Sequence, residues 1–238
     1  MRFYRPLGPI RAMTFDLDDT LYDNGPVIRA AEQTLKTFIA QRYDYASALT
    51  PAQWHQIRER LLTDTPDLSS DMGQLRLRTL AEALRDDISE EKARQEAAKA
   101  CFDCFYTARS ELELHDVIHT TLTALAQKLP LIGITNGNVD VKKIGASDYF
   151  THVLHASLER PMKPHRHMFD EAAQLLNLPP AQILHVGDSL TNDVFGAICA
   201  GKQAAWFACN RPMAINTEKT RVLPHVELDE FEELLALV

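Results

Sequence analysis

Four apolar runs of strand length punctuate the chain: Ala12 to Phe15, Leu131 to Ile134, Ile183 to Val186 and Ala204 to Phe207. Runs that are apolar at successive positions, without alternation, suit strands buried on both faces, as in parallel sheets. Between the later runs the apolar residues recur at helical spacing. Val117, Ile118, Leu122 and Leu125 form one stripe over 116–128, and Met168, Phe169, Ala172, Leu175 and Leu176 form another over 164–176. Residues 192–200 read as a third helix, stopped by Gly201 in the left-handed position that often ends helices. A weaker strand is expected at 152–155. Strand and helix alternate, which predicts an α/β fold: a doubly wound parallel sheet with right-handed crossovers.

One interval breaks the alternation. From Gly25 to about Leu112 there is no convincing strand, and the pattern predicts four helices, near Pro26 to Arg42, Pro51 to Thr63, Gly73 to Arg85 and Glu90 to Ala108. Thr50, Pro51 and Gln53 open the second with a capping box and a proline at the first helical position. Ser89 is expected to cap the fourth, with Glu90 and Glu91 in the first turn, where negative charge is favourable. A crossover needs only about a dozen residues, so the interval reads as an all-helical cap subdomain, 23–112, inserted into an α/β core of 1–22 and 113–238.

Composition adds limits. The chain has 238 residues, 45% hydrophobic and 24% charged, and no stretch nears the roughly 18 consecutive apolar residues of a spanning helix. The opening MRFYRPLGPIRAM lacks the apolar segment of a signal peptide, so a cytoplasmic location and no membrane contact are expected. With 33 acidic against 25 basic residues the net charge is −8, which repels nucleic acid and anionic membranes. An anionic substrate would need local positive charge. A monomer or small homo-oligomer is expected. Of four cysteines, Cys101 and Cys104 have metal-like spacing but lie in a helical run beside Phe102 and Phe105, which favours core packing.

Chemistry is suggested by what ends the apolar runs. The first ends in Asp16, with Asp18 and Asp19 following; the second in Thr135, Asn136 and Gly137; the third in Gly187 and Asp188, with Asp193 a little further on. In open α/β sheets ligands bind beyond the carboxyl ends of strands, so these residues should converge on one rim. Asp16 and Asp18, two apart in extended chain, share a side about 7 Å apart, and Asp19 should point away. Two carboxylates about 4 Å apart cost roughly 4 kcal/mol at an effective dielectric near 20, so a cation is expected. Oxygen-only ligands favour a hard ion such as Mg²⁺.

Gly137, with a positive φ, would let backbone N–H groups form an anion nest. Lys163, held extended by Pro164, lies just upstream of a helix start. His165 and His167 read as surface residues, and His185, inside an apolar run, as a buried hydrogen-bonded histidine. Trp54, Phe102, Phe105 and Tyr106 either pack the helical insertion or line a slot for a flat ring.

FDLDDT, TNGN, the lysine of KP and GDSLTND, in this order after runs of strand length, resemble the haloacid dehalogenase-like (HAD) hydrolase superfamily. The resemblance implies that Asp16 is a nucleophile and Asp18 a general acid/base, and that Thr135, Asn136 and Lys163 bind phosphate. It implies metal binding by Asp188 and Asp193 together with the DxD pair, Asp16 and Asp18. Haloacid dehalogenases act without Mg²⁺ and are not expected to have the second aspartate, so Asp18 argues for a phosphatase. MRFYRPLG, TNGN and Leu223 to His225 are similar to a bacterial subgroup hydrolysing flavin mononucleotide and 5-amino-6-(5-phospho-D-ribitylamino)uracil, a riboflavin precursor. That subgroup is expected to carry a further acid where this chain has Ser189. A sugar phosphomutase with the same nucleophile and a phospho-accepting signalling receiver are the rival expectations.

Overall fold

The computed structural model describes all 238 residues, Met1–Val238. Its centre is a seven-stranded sheet of β1 (Arg2–Phe3), β2 (Ala12–Phe15), β3 (Leu131–Thr135), β4 (His152–His155), β5 (Ile183–Gly187), β6 (Gln203–Trp206) and β7 (Val226–Glu227), in the order β1-β7-β6-β5-β2-β3-β4. Every pairing is parallel except that of β1 with β7. All residues of β2, β3, β5 and β6 are buried, which is why those strands read as unbroken apolar runs. From β2 the chain moves outward to β3 and β4, then returns to β5 on the other side of β2. That reversal makes a switch point at the carboxyl ends of β2 and β5, where α/β sheets open a crevice.

The two faces carry separate cores. Met13, Phe15, Leu131, Leu184 and Val186 pack with Ile118, Leu122 and Leu125 of α6 (Asp116–Ala126). Ile132, Ile134, Ala204 and Trp206 pack on the opposite side with Met168, Phe169 and Ala172 of α7 (His167–Leu176) and Ala197 of α8 (Gly196–Cys199). Burying each large aliphatic or aromatic side chain here contributes about 1.5–3 kcal/mol.

The stretch without strands forms α1 (Asn24–Ala40), α2 (Asp44–Ala48), α3 (Pro51–Asp64), α4 (Met72–Ala83) and α5 (Glu91–Arg109). Ala31, Leu35, Ile39, Leu80, Leu84, Ala98, Cys101 and Phe105 give this layer a core of its own. The CFDC segment is therefore packing: Cys101 is fully buried, and burial pushes its thiol up to about 11. No helix is long and apolar enough to cross a membrane.

Several local expectations are corrected. The five-residue α2 was too short for a periodic signal. α5 is capped by Glu90 and not Ser89, because the Glu90 carboxylate accepts from two amides, Lys92 N at 2.9 Å and Ala93 N at 2.6 Å. α7 begins at His167 rather than Pro164. Residues 190–195 form a π turn before the four-residue α8, in place of one continuous α-helix. Gly201 does end that segment in the left-handed region, at φ 80°. The strands β1 and β7, two residues each, were not legible as strands at all.

Candidate active site

The carboxyl ends of β2, β3 and β5 bring Asp16, Thr135 and Asp188 to one rim, and the π turn after β5 folds Asp193 back beneath it. At the bottom lies Lys163, 2% exposed. Its Nζ donates to Asp16 Oδ1 at 2.5 Å, Asp193 Oδ1 at 2.7 Å and the Ile134 carbonyl at 2.7 Å, so all three ammonium protons are engaged. Asn136 fixes the lysine from behind: its Oδ1 accepts from Lys163 N at 2.7 Å and its Nδ2 donates to Lys163 O at 3.0 Å. The Thr135 hydroxyl, fully buried, accepts from Gly137 N at 2.9 Å.

Charge in this pocket is set by burial and by the lysine together. Burial alone would lower the Lys163 ammonium, but Asp16 and Asp193 outweigh it and hold it above the usual lysine range. Burial works against the Asp193 carboxylate, yet Lys163 and His185 hold it well below the usual range. Asp16 goes the other way, pushed up by burial despite Lys163. Burial and the neighbouring Asp193 push Asp188 up to about 6. His185, lowered to about 4 by burial, is neutral, so its Nε2–H donates to the ionised Asp193 at 3.1 Å and its Nδ1 accepts the Thr14 hydroxyl at 2.9 Å. It is the buried, hydrogen-bonded histidine the sequence suggests. His165 and His167 are exposed.

Two glycines are required by close approach. A Cβ on Gly187 would fall 2.3 Å from Asp193 Cγ, and one on Gly137 would fall 2.2 Å from Asp18 Oδ2. Gly137 does not have a positive φ; what demands glycine there is the Asp18 carboxylate against the backbone, not a turn conformation.

Asp16, Asp188 and Asp193 each offer a carboxylate oxygen within 4.8 Å of the others. These residues fit a hard divalent cation such as Mg²⁺: the donors are all oxygen, and the three carboxylates are met by only two cations, Lys163 and Arg211. The free lone pairs are unequal. Asp188 accepts only from Arg211, Nη1 to Oδ2 at 2.9 Å. Asp16 accepts from Lys163 and from the Thr20 hydroxyl at 3.3 Å. Asp193 accepts from Lys163, His185 and the Ser189 amide, so Asp188 and Asp16 are the better placed donors.

Asp18 lies outside that triad. Its carboxylate accepts both oxygens' hydrogen bonds from Arg109 Nη2, at 2.8 and 3.0 Å, and a very short one from the Tyr22 hydroxyl. Asp19, at φ 61°, turns away, accepting at Oδ1 from Asn24 N and Asn210 Nδ2. Above Asp18 opens a cavity of about 940 Å³ between sheet and helical layer. Trp54 and Phe105 line it, whereas Phe102 and Tyr106 face a smaller crevice of about 200 Å³ on the other flank of the Asn136–Asn138 turn. The large cavity is bordered by five cations, Arg29, Lys36, Arg58, Arg76 and Arg109, against two acids, Asp18 and Glu32.

Sequence reasoning missed Arg109, Tyr22, Thr20 and Arg211. Tyr22, four residues after Asp18, was within reach of inspection. Arg109 and Arg211 carry no local signal, because each meets its aspartate across the fold.

The haloacid dehalogenase-like hydrolase family model matches residues 10–201. The chain is 40% identical over 239 residues to the 5-amino-6-(5-phospho-D-ribitylamino)uracil phosphatase YigB of Escherichia coli (strain K12), covering 100% of both. It is 24% identical to the N-acylneuraminate-9-phosphatase of Homo sapiens, covering 98% of this chain and 95% of that one. A crystal structure of a 2-haloacid dehalogenase from Pseudomonas syringae pv. Tomato DC3000 matches with a TM-score of 0.88 at 32% identity, covering 96% of this chain and 97% of that one.

Proposed function

From the premise that this chain belongs to the haloacid dehalogenase-like hydrolase family, we propose that it is a phosphomonoesterase working through an aspartyl-phosphate on a small phosphorylated metabolite. The substrate we assign is 5-amino-6-(5-phospho-D-ribitylamino)uracil or flavin mononucleotide. The observation that carries the reading is the contrast between two carboxylates two residues apart. Asp16 is buried against Lys163 in a strongly charged pocket; Asp18 faces the large cavity in the grip of Arg109 and Tyr22. Unlike environments for paired acids fit separate roles as nucleophile and proton donor.

In this mechanism a carboxylate oxygen of Asp16 attacks phosphorus, forming the Asp16–phosphoryl bond as the ester P–O bond breaks. Asp18 gives its proton to the departing alkoxide, then takes one from the water that attacks the aspartyl-phosphate and releases Asp16. Lys163 keeps Asp16 oriented and offsets charge on it, Asn136 holds Lys163, and the Thr135 hydroxyl, which accepts from the Gly137 amide, would have its proton to give to a phosphoryl oxygen. Mg²⁺ held by Asp16 and Asp188, with Asp193 in support, would supply the positive charge that keeps Asp16 ionised and neutralises the phosphoryl group.

Two further observations support the substrate. The E. coli relative that aligns end to end is named for the ribitylaminouracil phosphate, and a cavity of about 940 Å³ lined by Trp54 and Phe105 has room for a ring and a polyol chain, being at the large end of small-molecule pockets. The likeness to a structure named as a 2-haloacid dehalogenase supports a second reading, halide displacement by Asp16. Asp18 favours the phosphatase, since displaced halide needs no proton.

The test is to assay purified protein with Mg²⁺ against phosphomonoesters, including both proposed substrates, and against 2-haloacids, reading phosphate and halide. Phosphate release, lost on chelation and in Asp16→Asn, is the expected result. Halide release without phosphate release, or turnover retained by Asp16→Asn, would overturn the reading. Phosphate release that is weaker from both proposed substrates than from simple sugar phosphates would remove the substrate assignment alone.

A further inference from the structure

We propose that Arg109, carried by the helical layer, is the positioning residue that aims Asp18 at the leaving-group oxygen, so that proton donation depends on the helical layer being seated on the sheet. The inference rests on the phosphatase reading above.

Arg109 is the last residue of α5, where the chain returns from the helical layer to the sheet, and it is 2% exposed. A buried guanidinium needs an anion, and the one carboxylate within ion-pair distance is Asp18. Its position is fixed from a second side, because Nη1 donates to Asn138 Oδ1 at 2.8 Å in the turn after β3. The next residue is pinned to the same region: the Ser110 hydroxyl accepts from Asp140 N at 3.1 Å. Arg109 Nε, buried, has no partner, and beyond Asp18 and Asn138 the guanidinium makes only one long contact, from Nη2 to Asn24 Oδ1 at 3.5 Å.

Asp18 is equally constrained. Tyr22 and Arg109 grip the carboxylate, and Gly137 leaves it no space on a third side, since any Cβ there would overlap Asp18 Oδ2 and approach Arg109 Nη2 to 3.3 Å. The remaining open direction is the large cavity that Asp18 and Arg109 both line. A carboxyl group held so can face a leaving oxygen in only one way. Tyr22 lies on the same loop as Asp18 and moves with it; Arg109 comes from the other layer, so it alone of the two makes orientation depend on how the layers are seated.

This role predicts a signature that a purely structural or phosphate-binding residue would not give. An alkyl phosphate needs a proton on its departing oxygen, whereas p-nitrophenyl phosphate releases a stable anion without one. The quantity to measure is the ratio of kcat/KM for an alkyl phosphate to that for p-nitrophenyl phosphate, which reports phosphoryl transfer out of each ester. Asp18→Asn sets the full size of the effect, on the order of 10²-fold or more for loss of a general acid. Arg109→Met is expected to lower the ratio by about tenfold or more, and Arg109→Lys to restore part of it. Should Arg109→Met not fold, Asn138→Ala, which removes the arginine's second anchor and leaves Asp18 untouched, is expected to lower the ratio in the same direction.

Equal losses on both esters in these variants would overturn the proposal and assign Arg109 to phosphate binding or to packing. Absence of phosphate release from either ester by the unaltered protein would instead sink the phosphatase reading, before any variant is made.

Discussion

Gly187 and Asp193 are bound together by a distance. The β5 strand must end in a residue without a Cβ, because Asp193 Cγ occupies the space a methyl would take. Gly187→Ala is expected to displace Asp193 from Lys163, costing roughly 1–3 kcal/mol in stability and far more in activity; thermal unfolding and phosphate release measured together check this, and an alanine variant of full activity would refute it. Another residue makes a pH-dependent prediction. Lys202, buried, has an Nζ without a partner, and burial lowers its ammonium to about 7. Its folded value lies below the unfolded one near 10.5, so between those limits the unfolded chain binds more protons and stability rises with pH. Lys202→Met should be more stable than the unaltered protein at about pH 7, by on the order of a few kcal/mol, with the gap closing towards about pH 10. Unfolding midpoints at the two ends of that range test it, and a gap independent of pH would count against it.

Among the elements, α3 is unusual in burying no residue, although Trp54, His55 and Arg58 on it line the large cavity. Its start is secured by the capping box of Thr50 and Gln53, read correctly from three residues because both hydrogen bonds are local. Thr50→Ala should weaken α3 by about 1 kcal/mol. Faster amide exchange over residues 51–64 is expected, with KM for a ring-bearing phosphate raised and kcat nearly unchanged. Unaltered exchange would mean that tertiary contacts, not the cap, hold the helix. The π turn at 190–195 illustrates the opposite case. Its sequence is compatible with an α-helix, and the wider turn is tied to where Asp193 must lie: reaching Lys163, His185 and the Ser189 amide at once. Extra residues inserted into a helical turn recur at functional sites for this kind of reason.

For the whole molecule, charge is distributed against its own sum. A chain of net charge −8 borders its large cavity with five cations against two acids, so the local field there favours a phosphate dianion that the net charge would repel. The kcat/KM for a phosphomonoester should therefore fall as added salt shortens the screening length from about 30 Å to about 8 Å; a flat dependence would contradict it. This arrangement could not be read from the sequence, since Arg29, Lys36, Arg58, Arg76 and Arg109 sit on four different helices among many other charges. The sequence by itself did determine the α/β alternation, the helical interval and the acids at the ends of the apolar runs, because burial on both faces of a strand and the turn after it are local properties that leave a periodic or positional mark. Only the tertiary structure decided which cation meets which anion. It divided Asp16 from Asp18 between Lys163 and Arg109, gave Asp188 to Arg211, and separated Phe105 from Phe102, because such pairings join segments up to 147 residues apart and leave no trace in local spacing.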